Sequence, residues 1–388
     1  MLKMTVTESS EHDGEKDENS AATANEDEKN NITSYIQEVE ERLHSKHELR
    51  TANQNAPNTR PSESHFSKLD SSLKKNTAFV KKIKNFTANQ VEAYLKDMAG
   101  LNLTKYISEI AAAIVDAKLK MTDVAAALKM CSILHQTYAD FSQHLFENWQ
   151  KTLAFKVGEK IPNPSKLRVD LRFYAELVQA GLFSNKNAFT LLGNVITTLV
   201  NMDKDEHYNC SIILSFCKHC GEDYAGEYKL PHCGILIIIT IIQGLIPRKM
   251  RELSEKFATP IPKSTFLPPE KQQNVRTLLK DYYVSLSKHL VKDHQEIQNF
   301  EKQNMRILQT KGELSQERKE KLESLQSAYE KLYTSTQSFA EILDEDMPTL
   351  KSQTILKSDE VVVLFEVANL LICVFLEYDC HGGRAGFR

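Results

Sequence analysis

The chain has 388 residues, 41% of them hydrophobic, with only 13 Gly and 11 Pro, too few turn residues for a strand-rich fold of this length. Lys and Arg total 49 against 52 Asp and Glu, a net charge of -3. That balance excludes a global pull toward nucleic acid or anionic membrane, so any polyanion site has to be a local patch.

Residues 1 to about 31 carry nine acids between Glu8 and Glu28 and almost nothing apolar, so they are expected to be disordered. The N-terminus lacks the apolar stretch of a secretory signal and is too acidic for a transit peptide. Seven scattered cysteines (Cys131, Cys210, Cys217, Cys220, Cys233, Cys373 and Cys380) point to a reducing compartment. The expected setting is the cytoplasm, including its perinuclear part. From Ile32 to Leu49 a charged helix is predicted, with Tyr35, Ile36, Val39 and Leu43 near one stripe. Pro57 and Pro61 then break the pattern, which reads as a linker or extended strap.

A run of helices follows. Phe66, Leu69, Leu73, Val80 and Ile83 recur once per turn, as do Leu103, Ile107, Ile110 and Ile114. Asp123 is placed to cap a helix that carries Val124, Leu128, Cys131, Leu134 and Tyr138. Ser165 is read as opening another helix after Pro162 and Pro164, through Leu167, Leu171, Tyr174 and Leu177 to a stop at Gly181. Further helices fit Ala188 to Val200 and Glu206 to Cys220, and the pairs recur at roughly 40 residues, the period of stacked helical hairpins. A long helix from about Glu270 to Leu308 turns at Lys311 and Gly312 and returns from Ser315 to Leu343. The expectation is all-α: an α-solenoid of antiparallel helical hairpins, HEAT-like, ending in a long helical hairpin.

Two apolar segments fall outside this rhythm. Glu227 to Gln243 is isoleucine-rich yet too short to span a bilayer, and Val361 to Leu376 is sixteen residues long and carries Glu366. Neither is expected to be a membrane anchor.

Several stretches carry a family signal, in order: LRTANQNAPNTRP (49–61), FSKLDSSLKKNTAFVKKIK (66–84), GLNLTKYISE (100–109), LRFYAEL with Gly181-Leu182-Phe183, SFCKHCGED (215–223), PEKQQ (269–273), KGELSQER (311–318) and LDEDMP (343–348). Together they resemble the up-frameshift-two family of nonsense-mediated mRNA decay adaptors, in its N-terminal part with the first MIF4G domain. LRFYAEL also looks like a hallmark of the middle domain of eukaryotic initiation factor four gamma. The resemblance implies three parts: a tail and charged helix over 1–48, a MIF4G-type helical domain over 49–350, and a non-family tail over 351–388. Residues 227–243 fall in a stretch extra to the family, in which Ala225-Gly226 continues directly into Leu245, and a retained short intron would account for it. The function implied is a non-enzymatic scaffold whose partners are proteins of the mRNA surveillance complex. The family's regions for the up-frameshift helicase and its basic partner lie toward the C-terminus, in segments that this sequence does not include, so those activities are not expected. A truncated, non-functional product is an alternative.

The sharpest charged feature is the stretch from Lys68 to Lys84, where Lys68, Lys74, Lys75, Lys81, Lys82 and Lys84 face one acid, Asp70. Such a helix can attract RNA phosphates without reading sequence; its duller reading is a solvated face whose lysine stems cover apolar neighbours. Lys74, Lys75, Lys81, Lys82 and Lys84 are therefore candidate RNA contacts. Arg168 and Arg172 are candidate phosphate ligands, set against an intrahelical pair of Arg172 with Glu176. Cys217 and Cys220 have the spacing of half a zinc site but no second half at finger spacing, so they read as buried helix cysteines. The histidines lie singly and no glycine-rich phosphate loop is present, so no catalytic residue, metal, cofactor or small-molecule substrate is expected.

Overall fold

The computed structural model describes residues 14–156, 158–159, 161–183, 186–204, 206–226 and 248–350. The expected insertion 227–243 and the tail 351–388 lie outside the described residues. A compact unit runs from Met1 to Met347, and thirteen α-helices build what is described of it, joined by short 3-10 turns. They are α1 (Gly14–Thr59), α2 (Glu63–Phe66), α3 (Leu73–Ile83), α4 (Val91–Gly100), α5 (Ile107–Asp116), α6 (Val124–Thr137) and α7 (Phe141–Thr152). The rest are α8 (Pro164–Gln179), α9 (Lys186–Met202), α10 (Cys210–Ala225), α11 (Arg248–Lys256), α12 (Pro269–Lys311) and α13 (Gln316–Leu343). Among the described residues there is no strand, only one isolated bridge between Asp70 and Leu101.

Every second helix packs on the one before it, the signature of a solenoid. α4, α6, α8, α10 and α12 stack in one layer, α3, α5 and α7 in the other, and α9 bridges α8 and α10. The fold expected from periodicity is the fold observed. α5 shows why: Ile107, Ile110, Ala111, Ile114 and Val115 bury a stripe wide enough to meet helices on two sides. α8 is enclosed more fully, and its Phe173 and Tyr174 pack around Trp149 at 5.8 and 5.7 Å between ring centroids. α12 and α13 form the long C-terminal hairpin, which turns at Gly312 in the left-handed conformation (φ 77°).

α8 opens on Asn163, not Ser165. The Asn163 carboxamide accepts from the Lys166 N–H at 2.9 Å, and Pro164 fills the first position, where no N–H is needed. The stop is as expected, with Gly181 (φ 75°) and Leu182 returning N–H bonds to Val178 and Leu177 in a Schellman closure.

The largest difference from expectation is α1. It begins at Gly14, inside the stretch expected to be disordered, and crosses the expected joint at 48/49. It also runs on through the expected linker to Thr59, with Pro57 in its last turn. Pro57 has no N–H for the carbonyl of Asn53 four residues back. That carbonyl bonds Nε2 of His135 instead, at 3.1 Å. Tertiary contact thus replaces the hydrogen bond that the proline deletes.

Candidate functional surface

α3 presents the candidate lysines at one edge of the stack. Asn76, Phe79 and Ile83 are its buried side, while Leu73, expected in the core, is 67% exposed. Lys68 precedes the helix in a turn, so the basic helix is shorter than the stretch from Lys68 to Lys84. Lys74, Lys75, Lys81, Lys82 and Lys84 are all exposed. They are not equivalent. Lys75 pairs with Asp70 at 2.6 Å and holds that carboxyl below its usual range, while Lys82 pairs with Asp97 at 2.9 Å and sits 4.6 Å from the Tyr94 ring centroid. Lys74, Lys81 and Lys84 make no ion pair with the described residues. They recur at helical spacing along one face, with Thr77 and Ala78 between them.

Arg168 and Arg172 part company. Arg168 is exposed on the first turns of α8. Arg172 is largely covered: its Nε bonds Glu176 at 2.7 Å and its Nη1 donates to the Met121 carbonyl at 3.1 Å. Arg172 thus braces α8 against the turn before α6, with Nε held on Glu176 and Nη1 on Met121.

The cysteines are interior. Cys131, Cys210, Cys217 and Cys220 are buried and free, and burial pushes each thiol up, Cys210 to about 11. His219 Nδ1 bonds the Ser215 carbonyl of its own helix at 2.8 Å. Among the described residues no three His, Cys, Asp or Glu side chains are grouped to hold a metal, and no helix is long and apolar enough to cross a membrane.

Several buried acids escaped the reading of the sequence. Asp203 takes both oxygens to the Asn209 N–H at 3.0 Å and accepts from the Tyr282 hydroxyl at 2.7 Å, and burial pushes its carboxyl up to about 6. Asp170, also pushed up to about 6 by burial, is met by Lys166 at 2.7 Å. Glu222 and Asp223 of α10 meet Arg42 at 2.9 Å and Lys46 at 2.6 Å from α1. The spacing of Lys166 and Asp170 is a readable intrahelical signal; the pairs between α1 and α10 cross about 180 residues and leave none. Asp203, Glu222 and Asp223 fasten one element to another, while Asp170 is held within α8.

The family model for the MIF4G domain matches residues 73–299 of this helical stack. The chain belongs to the MIF4G domain family. It is similar to Regulator of nonsense transcripts 2 of Homo sapiens, 48% identical over 314 residues, a match covering 81% of this chain and 23% of that protein. It is also similar to Regulator of nonsense transcripts UPF2 of Arabidopsis thaliana, 30% identical over 325 residues, covering 81% of this chain and 25% of that protein. The chain thus spans about a quarter of the length of these relatives. The crystal structure of the first MIF4G domain of human nonsense mediated decay factor UPF2 superposes with a TM-score of 0.73 at 46% identity, covering 84% of this chain and 99% of that one. The N-terminal mIF4G domain of Saccharomyces cerevisiae Upf2 shares the fold at a TM-score of 0.57 and 19% identity.

Proposed function

We propose that the chain is a non-enzymatic docking scaffold of nonsense-mediated mRNA decay, holding proteins of the surveillance complex on the rigid outer faces of its helical stack. The observation that carries this reading is how the interior charges are used: Arg42, Lys46, Arg172, Asp203, Glu222 and Asp223 each tie one element to another. A framework with its ionisable interior so committed has stiffness to offer, and the relatives' names support a role in nonsense-mediated mRNA decay. The test is a chimera, in which the matching segment of human Regulator of nonsense transcripts 2 is replaced by residues 49–350 and expressed in cells depleted of that protein. Restored decay of a premature-stop reporter is expected. A chimera that accumulates to normal levels but leaves the reporter stable overturns the reading.

A second reading, binding of RNA without sequence preference through α3, is favoured by one observation. Lys74, Lys81 and Lys84 stand exposed on one face without a carboxylate among the described residues. Retention of a labelled oligouridine at low salt, lost when these three lysines become glutamate, is the expected result; equal retention by the triple variant rejects it.

A further inference from the structure

We propose that the RNA contact is not a single helix but a strip across three elements, running from α3 over the loop before α6 to the first turns of α8, with Lys118 and Lys120 as added contacts. The strip fits the phosphate backbone of single-stranded RNA and rests on the second reading above. Its geometry follows from one buried carboxylate. Asp123 accepts from the Ala88 N–H at 2.9 Å with one oxygen and from the Lys120 N–H at 2.9 Å with the other. Ala88 lies four residues beyond Lys84, so the end of α3 and Lys120 are gathered at one point.

The far side of the same loop is tied to α8. Lys166 donates to the Val115 carbonyl at 3.0 Å, and Arg172 to the Met121 carbonyl at 3.1 Å. Residues 116–120 thus run beside the stretch of α8 that carries Arg168, which stands one turn, about 5.4 Å, before Arg172 along the helix. Lys118 and Lys120 fill the interval between Lys84 and Arg168.

What makes the strip electropositive is the fate of the local acids. Asp70, Asp97, Glu92, Asp170 and Glu176 are matched with Lys75, Lys82, Lys129, Lys166 and Arg172. Lys74, Lys81, Lys84, Lys118, Lys120 and Arg168 are exposed and make no ion pair with the described residues, and exposed Asp116 in the same loop offsets one of them. In a chain whose net charge is -3, such a local excess is a patch and not a reflection of composition. The bases come from three separate elements, a layout that matches a repeating phosphate chain better than a single phosphate. The neighbouring rings of Phe86 and Tyr94 are buried and unavailable for base stacking, in keeping with binding blind to sequence.

The test is an anisotropy titration of the full chain with labelled oligouridine at about 50 and about 200 mM salt, comparing wild type with K81E/K84E, K118E/K120E and R168E. Each double reversal is expected to weaken binding about tenfold and to lower the slope of log affinity against log salt by about 1.4, with R168E giving roughly half that slope change. All five positions are exposed, and unchanged thermal unfolding will show that the variants fold; K118Q/K120Q serves where a reversal does not. If K81E/K84E weakens binding while K118E/K120E and R168E do not, the strip is wrong and the single-helix reading stands. If no variant weakens binding, or wild type does not bind at the lower salt, both fall. Displacement of the RNA by an equal concentration of an acidic phosphopeptide of the same charge would make this a protein-docking face and overturn the assignment to RNA.

Discussion

The two ends of α1 are held by different physics. Toward its N-terminus, Ile32 and Val39 are buried with Leu253 and Ile261, and Tyr35, Ile36, Leu43, Met250 and Phe257 pack around them in a satellite cluster shared with α11 and the loop after it. Toward its C-terminus the contacts are polar. Arg50 donates to the carbonyls of Gln179 and Val178 at 2.6 and 3.3 Å and lies over Phe266, Asn53 donates to Ala180 at 2.8 Å, and Arg60 reaches the His135 carbonyl. These carbonyls belong to the last turns of α8 and α6, the groups that a helix cannot satisfy by itself. One end of the helix is therefore a greasy lid, replaceable by anything apolar of similar shape. The other is a set of caps on which the neighbouring helices depend.

The comparison can be broken most forcefully at Arg50. Arg50→Ala removes a charge-assisted cap and the stem that lies beside Gly181, where a side chain would crowd it, and is expected to cost about 2 to 3 kcal/mol. Because the caps serve α8, denaturant unfolding of the whole domain should shift, with hydrogen exchange in α8 quickening alongside α1. Leu253→Ala is expected to cost about 2 kcal/mol through the cavity it leaves, but locally. Hydrogen exchange should rise in α11 and the Ile32–Leu43 part of α1 with little change in α8, and an equal rise in both would mean that the two ends are not separable.

A smaller effect is expected for Arg42 and Glu222, where the two regions meet. The Arg42 side chain is 33% exposed, so solvent screens the pair, and a double-mutant cycle should give a coupling under about 1 kcal/mol that shrinks with added salt. Smallest is the pH dependence carried by His135. Burial holds its imidazole below the ordinary 6.5, so between pH 7.5 and 6 the unfolded chain takes up a proton that the folded chain refuses. Stability should fall as pH drops through this window, and the fall should be shallower in His135→Gln, measured by denaturant midpoints across the range.

How much of this was legible depended on the range of the interaction. The solenoid was readable because its signal is local: Ile107, Ile110 and Ile114, or Leu167, Leu171 and Tyr174, recur at the helix period, whatever they pack against. Gly181 and Gly312 announced helix ends because only a residue without a side chain tolerates the left-handed turn cheaply. Pro57 misled for the converse reason. Its usual penalty presumes that the orphaned carbonyl has no other donor, and the donor, His135, lies 82 residues from Asn53. Within the candidate surface, the pairing of Arg172 with Glu176 was written in their spacing, whereas its bond to Met121 and the gathering of Lys120 and Ala88 around Asp123 were not.

The amino-acid sequence alone determined that this chain is helical, that α8 closes at Gly181 and α13 stops at Leu343, and which lysines cluster around α3, since backbone conformation and side-chain periodicity act over a few residues. Only the tertiary structure decided which cations are spent and which stay open to a partner. A carboxylate neutralises whatever base folding brings within a few ångströms, and distance along the chain carries no record of that meeting.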